Sequence, residues 1–136
     1  MPAAQLIAKN QKTFVDVNLD FDIHPNTKKL NLLYGEDAVV RSLKNLVMTN
    51  HYERPFHPEI GCNVRAMLFD NIMPSTADSI NHAIVETIEN FEPRVRLTDV
   101  RVTAKPDENG YYVTIEFFVI NATTARRIQF FLERIR

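Results

Sequence analysis

Glu92-Pro93-Arg94 combines three residue types that can act together in recognition. Proline fixes one backbone torsion and so limits how its neighbours are aimed, and a guanidinium can form a two-pronged bond to a carboxylate or to helix-terminal carbonyls. A helix stop flanked by two solvated charges accounts for the same residues. Arg54-Pro55-Phe56 also has two readings. Phe56 plugs the core beneath a loop while Arg54 snorkels outward, or the loop is a stiff recognition element with an aromatic anchor, and both readings can hold with Phe56 inside and Arg54 outside. Glu59, Asp70, Glu86, Glu89 and Glu92 could supply carboxylates for glycoside hydrolysis. That reaction needs two carboxyls facing each other across a cleft, one of them with a raised pKa, and nothing in the spacing selects such a pair.

His24, His51, His57 and His82 form neither an i, i+4 helical pair nor a compact loop set, so they are read as non-ligands. Cys62 is the only cysteine, which rules out an internal disulfide and a zinc-binding thiolate cluster and leaves a structural role. His57 lies near it in sequence, between two prolines and without an evident third catalytic group. No metal, cofactor or catalytic residue is expected.

The elements that must position these residues follow from periodicity. Val15, Val17, Leu19, Phe21 and Ile23 alternate with polar residues, predicting a strand with one buried face that turns at Pro25 and Asn26. Between residues 35 and 50 the period becomes helical, with Val39, Leu43, Leu46 and Val47 on one face. Pro55, Pro58 and Gly61 make residues 52–62 a stiff loop, and a short helix over 64–69 follows with Asn63 as its cap. Pro74 and Ser75 open the clearest helix, where Ser75 and Asp78 resemble a capping box, and Pro93 ends it near Glu92. Residues 97–104 and 111–120 read as a hairpin about Asp107, Asn109 and Gly110. The last segment fits both periods: Ile128, Phe131, Leu132 and Ile135 as a helix, or Ile128, Phe130 and Leu132 as a strand, with the helical period favoured.

The chain has 136 residues, 45% of them hydrophobic and 24% charged, which suits one folded domain of class α+β over residues 13–136. Residues 1–12 lack a sustained period and read as a mobile arm. A net charge of −1 gives the whole molecule no electrostatic case for nucleic acid. No apolar run reaches membrane-spanning length and no secretory signal is visible, which predicts a cytoplasmic origin.

Several ordered blocks resemble a known family: the run from Tyr52 through Arg54-Pro55-Phe56 to Cys62, Leu68-Phe69-Asp70, Phe91-Glu92-Pro93-Arg94-Val95 and, earlier, Gly35-Glu36-Asp37-Ala38, Arg41-Ser42 and Lys44-Asn45-Leu46. Together they resemble the baseplate wedge and sheath-initiator family of contractile-tailed phages, which includes a type VI secretion baseplate component and has at times carried a lysozyme label. The resemblance runs from about Phe14 to the C-terminus. Tyr52 departs from it, standing where many relatives have glycine.

The resemblance implies helices packed on a small, mainly antiparallel sheet similar to the interlocking (handshake) domain of sheath subunits, and turns the last segment into a strand. It implies a structural wedge subunit, not an enzyme, present in repeated copies in a sixfold-symmetric baseplate. Glu92, Pro93 and Arg94 would dock on the core bundle of larger wedge proteins, and Arg54, Pro55 and Phe56 are further candidate partner-binding residues. Arg127, Gln129 and Phe131 would lie on a strand that templates the sheath, and Arg126, Arg127, Arg134 and Arg136 would discourage self-pairing there. Central hub or tube proteins are further possible partners; nucleic acid and membrane are not expected. The implied location is a virion tail baseplate assembled in host cytoplasm, or the bacterial cytoplasm for a secretion machine. The alternative function is a cell-wall hydrolase embedded in a baseplate.

Overall fold

Proline at the first helical position costs no hydrogen bond and arrives with a helical torsion, and Pro74 starts the longest helix of the chain in this way. The computed structural model describes residues 14–135. The expected arm at residues 1–12, like Arg136, lies outside the described residues. In order, the elements are β1 (Val15–Val17), β2 (Leu32–Tyr34), α1 (Glu36–Met48), α2 (Val64–Met67), α3 (Pro74–Phe91), β3 (Val95–Lys105), β4 (Gly110–Val119) and β5 (Ala125–Glu133). They divide into two compact units, with the division between Ser42 and Leu43 inside α1.

In the first unit β1 pairs antiparallel with β2, and an isolated bridge joins Ile23 to Leu30. His24 closes the turn after Ile23: its Nδ1 accepts main-chain N–H groups from Asn26 and Thr27 at 3.3 and 3.4 Å. Arg41 reaches Asp20 at 2.6 Å. The expected strand through Ile23 is therefore only three residues long, and its apolar face is not buried. Val15, Val17, Leu19, Phe21 and Ile23 are all exposed. Alternation reports that one face is apolar, not that the chain itself supplies a cover for it.

In the second unit β3, β4 and β5 form an antiparallel sheet in that order, with α3 packed on β3. Tyr111, Val113, Ile115, Phe117 and Val119 alternate along β4 and are buried, as are Val100 of β3 and Leu132 of β5. Ala77, Ile80, Ile84 and Ile88 are the buried stripe of α3. Burial of each Ile side chain is worth about 1.5–3 kcal/mol. Residues of the last segment thus form a strand, as the resemblance implied and the helical period did not. Short antiparallel sheets with helices make this an α+β fold, as expected.

Two predicted caps do not form. Met73, in an extended conformation, is the N-cap of α3 and makes no side-chain bond, while Ser75 lies inside the helix. Asn63 holds the N-cap position of α2 but caps nothing with its side chain, and α2 ends at Met67 rather than residue 69. At the other end of α3 the proline argument holds: Phe91 is the last helical residue and Glu92 the C-cap.

Candidate docking and strand-pairing surfaces

The end of α3 aims Glu92 inward. Its N–H still donates to Ile88 O (2.9 Å), which completes the last helical turn, and its side chain is only 4% exposed. Pro93 then turns the chain so that Arg94 folds back on Glu92: Nε donates to Oε1 at 2.7 Å and Nη2 to Oε2 at 2.9 Å. The tripeptide is a closed clamp, with neither of its charges simply solvated. Its main chain also sets the start of the sheet, since Arg94 O accepts from Ile120 N–H at 2.8 Å. Beside the clamp lies an open groove of about 760 Å³, to whose lining Glu92, Pro93, Leu97, Phe118 and Ile120 contribute. The clamp holds one wall of this groove.

The loop between α1 and α2 is tied at its base and open at its tip. Cys62 N–H donates to Thr49 O (2.7 Å), and Gly61 O accepts from Thr87 Oγ1 of α3 (3.3 Å). Gly61 has φ +148°, and a Cβ there would stand 2.8 Å from the carbonyl oxygens of both Thr49 and Asn50, so only glycine fits. Asn50 donates its backbone N–H and its side-chain amide to Glu53, which holds that carboxyl below its usual range. Glu59 is also lowered, by its own main-chain N–H and then by His57.

At the tip, Arg54 and Pro55 are exposed, and Phe56 is 96% exposed with φ +69°. The expectation that Phe56 plugs the core is therefore incorrect. A left-handed backbone at Phe56 turns its ring away from the loop's own interior and into solvent. Tyr52 stands at φ +68° and is 85% exposed: the turn asks for a left-handed residue, the conformation glycine adopts most readily, and this chain meets it with tyrosine. Cys62 is buried, and burial pushes its thiol up. That favours the unreactive thiol form, in keeping with a structural role.

β5 carries the remaining predicted residues, and each has a partner directly across on β4. Arg127 pairs with Glu116 at 2.5 Å, Gln129 Nε2 donates to Thr114 Oγ1 at 3.2 Å, and the Phe131 ring lies 4.9 Å from Tyr112. Phe131 also crosses Gly110, where any Cβ would collide with its ring. These side chains cover the sheet face opposite the buried one.

The register shows where the main chain of β5 points. Arg134 N–H donates to Asn109 O at 2.9 Å, one step beyond the Gly110–Glu133 pair, so even-numbered residues of β5 turn their polar groups to β4. Ala125, Arg127, Gln129, Phe131 and Glu133 turn theirs outward, and among the described residues no strand lies beyond β5. β3, the other edge, is blunted from Val95 to Val100. Val95 N–H is taken by Glu92 O, the register shifts between Leu97 and Asp99, and the outward Val100 O accepts from Asn81 Nδ2 of α3 at 2.8 Å. Sequence reasoning missed Asn81, and only knowledge of the β3–β4 register could have found it.

Of the candidate acids, Glu92 is bound by Arg94, and the Glu59 carboxyl moves down, opposite to a general acid. Among the described residues no three His, Cys, Asp or Glu side chains are gathered as a metal would require, and no helix is long and apolar enough to cross a membrane.

Known structures share this arrangement. A chain of the anti-feeding prophage baseplate, solved by cryo-EM, matches with a TM-score of 0.64 at 24% identity, over 91% of this chain and 88% of that one. A crystal structure from Geobacter sulfurreducens, described provisionally as a tail lysozyme, matches with a TM-score of 0.68 at 22% identity, over 74% of this chain and 92% of that one. The fold is thus the α+β fold that these two chains share. Sequence narrows the class: residues 34–124 match the profile of baseplate wedge protein gp25, and that protein of Enterobacteria phage T4 is 31% identical over 115 residues, 85% of this chain and 86% of its own. The chain belongs to the baseplate wedge protein gp25 family, structural baseplate proteins of contractile tail systems.

Proposed function

We propose that this chain is a wedge subunit that docks on larger wedge proteins and starts the sheath by accepting its strands at β5. The observation that carries this reading is the open edge of β5, with main-chain groups of Arg127, Gln129 and Phe131 turned outward while their side chains are held by β4. An extended chain is the occupant such an edge fits, because main-chain bonds supply affinity and flanking side chains supply selection. Sheath subunits are that partner in this reading, and the sheet plays the part of their interlocking domain. Docking is assigned to the groove beside Glu92-Pro93-Arg94, with the exposed tip of Arg54-Pro55-Phe56 as a second contact. Repeated copies in a sixfold baseplate would present a ring of such edges.

Cryo-EM of baseplates bearing their first sheath ring tests the reading. A sheath strand hydrogen-bonded along β5 is expected; β5 left to solvent while the sheath attaches elsewhere would overturn it. The second reading, a cell-wall hydrolase, has the name of the Geobacter relative in its favour. Purified protein is expected not to clear a peptidoglycan suspension. Clearing that persists through repurification and is lost with one carboxylate would reverse that assignment.

A further inference from the structure

The β5 edge is open along most of its length and shut at one end. Ile135 N–H is the next outward donor after Glu133, and it is already given to Leu68 O at 3.0 Å. Nothing can pair with β5 beyond that point while the bond holds. Beside it lies a small groove of about 240 Å³, lined by Met48, Leu68, Phe131, Leu132 and Ile135. Phe131 and Leu132 are successive residues whose side chains leave opposite faces of the sheet, so a hollow touching both lies off the edge of the strand and not over one face. Arg65 and Glu133 supply its charged lining.

We propose that this groove is a register stop: it receives one large apolar side chain from the strand that pairs with β5, and so fixes where that strand lies. The inference rests on the proposed strand addition and deepens it. Main-chain pairing alone is indifferent to slips along the strand, because every step of two residues offers the same donors and acceptors. A strand laid on β5 needs a feature outside the ladder to choose one register, and the closed end supplies it in two parts. The Leu68–Ile135 bond limits how far the strand can run, and the apolar hollow rewards a large side chain at that limit. The occupant is an extended segment because the hollow is continuous with outward N–H and C=O groups. Its size is below the roughly 300 Å³ at which small-molecule sites begin and suits a single side chain.

Site-specific photo-crosslinking in assembled tails tests this, with p-benzoylphenylalanine placed at Arg127 in one variant and at the half-exposed Met48 in another. Both are expected to capture the same extended segment. The residue caught from Met48 should be large and apolar, about six residues from the one caught at Arg127, at roughly 3.3 Å per residue. Met48→Lys should lower the fraction of baseplates bearing sheath by about tenfold or more, as loss of an anchor side chain does. Capture at Arg127 alone, or a polar residue caught from Met48, overturns the register stop and leaves strand addition standing. Capture of a second copy of this chain, capture at Met48 alone, or capture at neither position overturns strand addition and the stop together.

Discussion

The two edges of one three-stranded sheet are treated in opposite ways. β3 has its first N–H bonded by Glu92 O, a register shift at Leu97/Asp99 and Asn81 seated on Val100 O, whereas β5 shows the polar groups of alternate residues from Ala125 to Glu133. Exposed edges invite uncontrolled pairing, and proteins ordinarily blunt them with bulges, charges or covering side chains. A chain that blunts one edge by three devices and leaves the other bare has a use for the bare one. The difference also ties the proposed docking motif to the blunted edge. Glu92 and Arg94 stand where β3 begins, and the same tripeptide that walls the groove closes the edge that must not pair.

The largest effect that would break this comparison comes from proline. Placed at Gln129 it removes an outward N–H of β5, and placed at Ala104 it removes an outward N–H of β3; neither takes a main-chain bond from β4, and Gln129→Pro gives up only the side-chain bond to Thr114. Gln129→Pro is expected to give complete baseplates that grow no sheath, seen as bare tubes by electron microscopy. Ala104→Pro should give sheathed tails of normal length. Equal behaviour of the two variants would end the distinction between the edges.

How much of this was legible beforehand depended on what each residue type reports. The hairpin of β3 and β4 and the end of α3 were readable because turn residues and proline act locally. β5 was readable only through the family resemblance. Phe131 lies on the outer face against Tyr112 and Gly110, so apolar residues on both faces of a strand imitated a helical period. β2 was not foreseen, since Leu32, Leu33 and Tyr34 carry no alternation. Phe56 was misplaced because hydrophobicity argues for the core, and a left-handed turn overrode it. Glu92 and Arg94 were recognised as partners for another protein, yet their bond to each other was hidden: a buried, paired carboxylate and a solvated one look alike in sequence.

That pairing changes what substitution of Arg94 should do. If Arg94 only contacted a partner, Arg94→Ala would weaken docking and leave the fold intact. With Glu92 4% exposed and gripped at both oxygens, removal of the guanidinium takes two charge-assisted bonds from a buried carboxylate. The expected loss is on the order of 3–5 kcal/mol in denaturant unfolding. In a Glu92→Gln background the same change should cost clearly less; equal losses would show that the pair is not the source. Docking itself is better probed by Ile120→Asp, at the exposed groove residue, which should weaken pull-down of the large wedge proteins while the unfolding midpoint stays near that of the wild type.

The smallest effect sharpens the comparison most, because it asks which device closes β3. Asn81 donates its amide to Val100 O and sits on the partly buried side of α3 against that strand. Asn81→Ala removes one hydrogen bond of ordinary strength, worth about 0.5–1.5 kcal/mol, and exposes one carbonyl of the edge. The register shift at Leu97/Asp99 and the Val95–Glu92 bond stay in place, so an incoming strand would still meet an edge that is irregular on the N-terminal side of Val100. The variant is therefore expected to lose stability by about that amount and to associate no more than the wild type in light scattering at matched concentration. Doubling of its mass would identify Asn81 as the guard of the edge. Unchanged mass with the expected loss of stability assigns that role to the irregular backbone, which no single side-chain deletion can open.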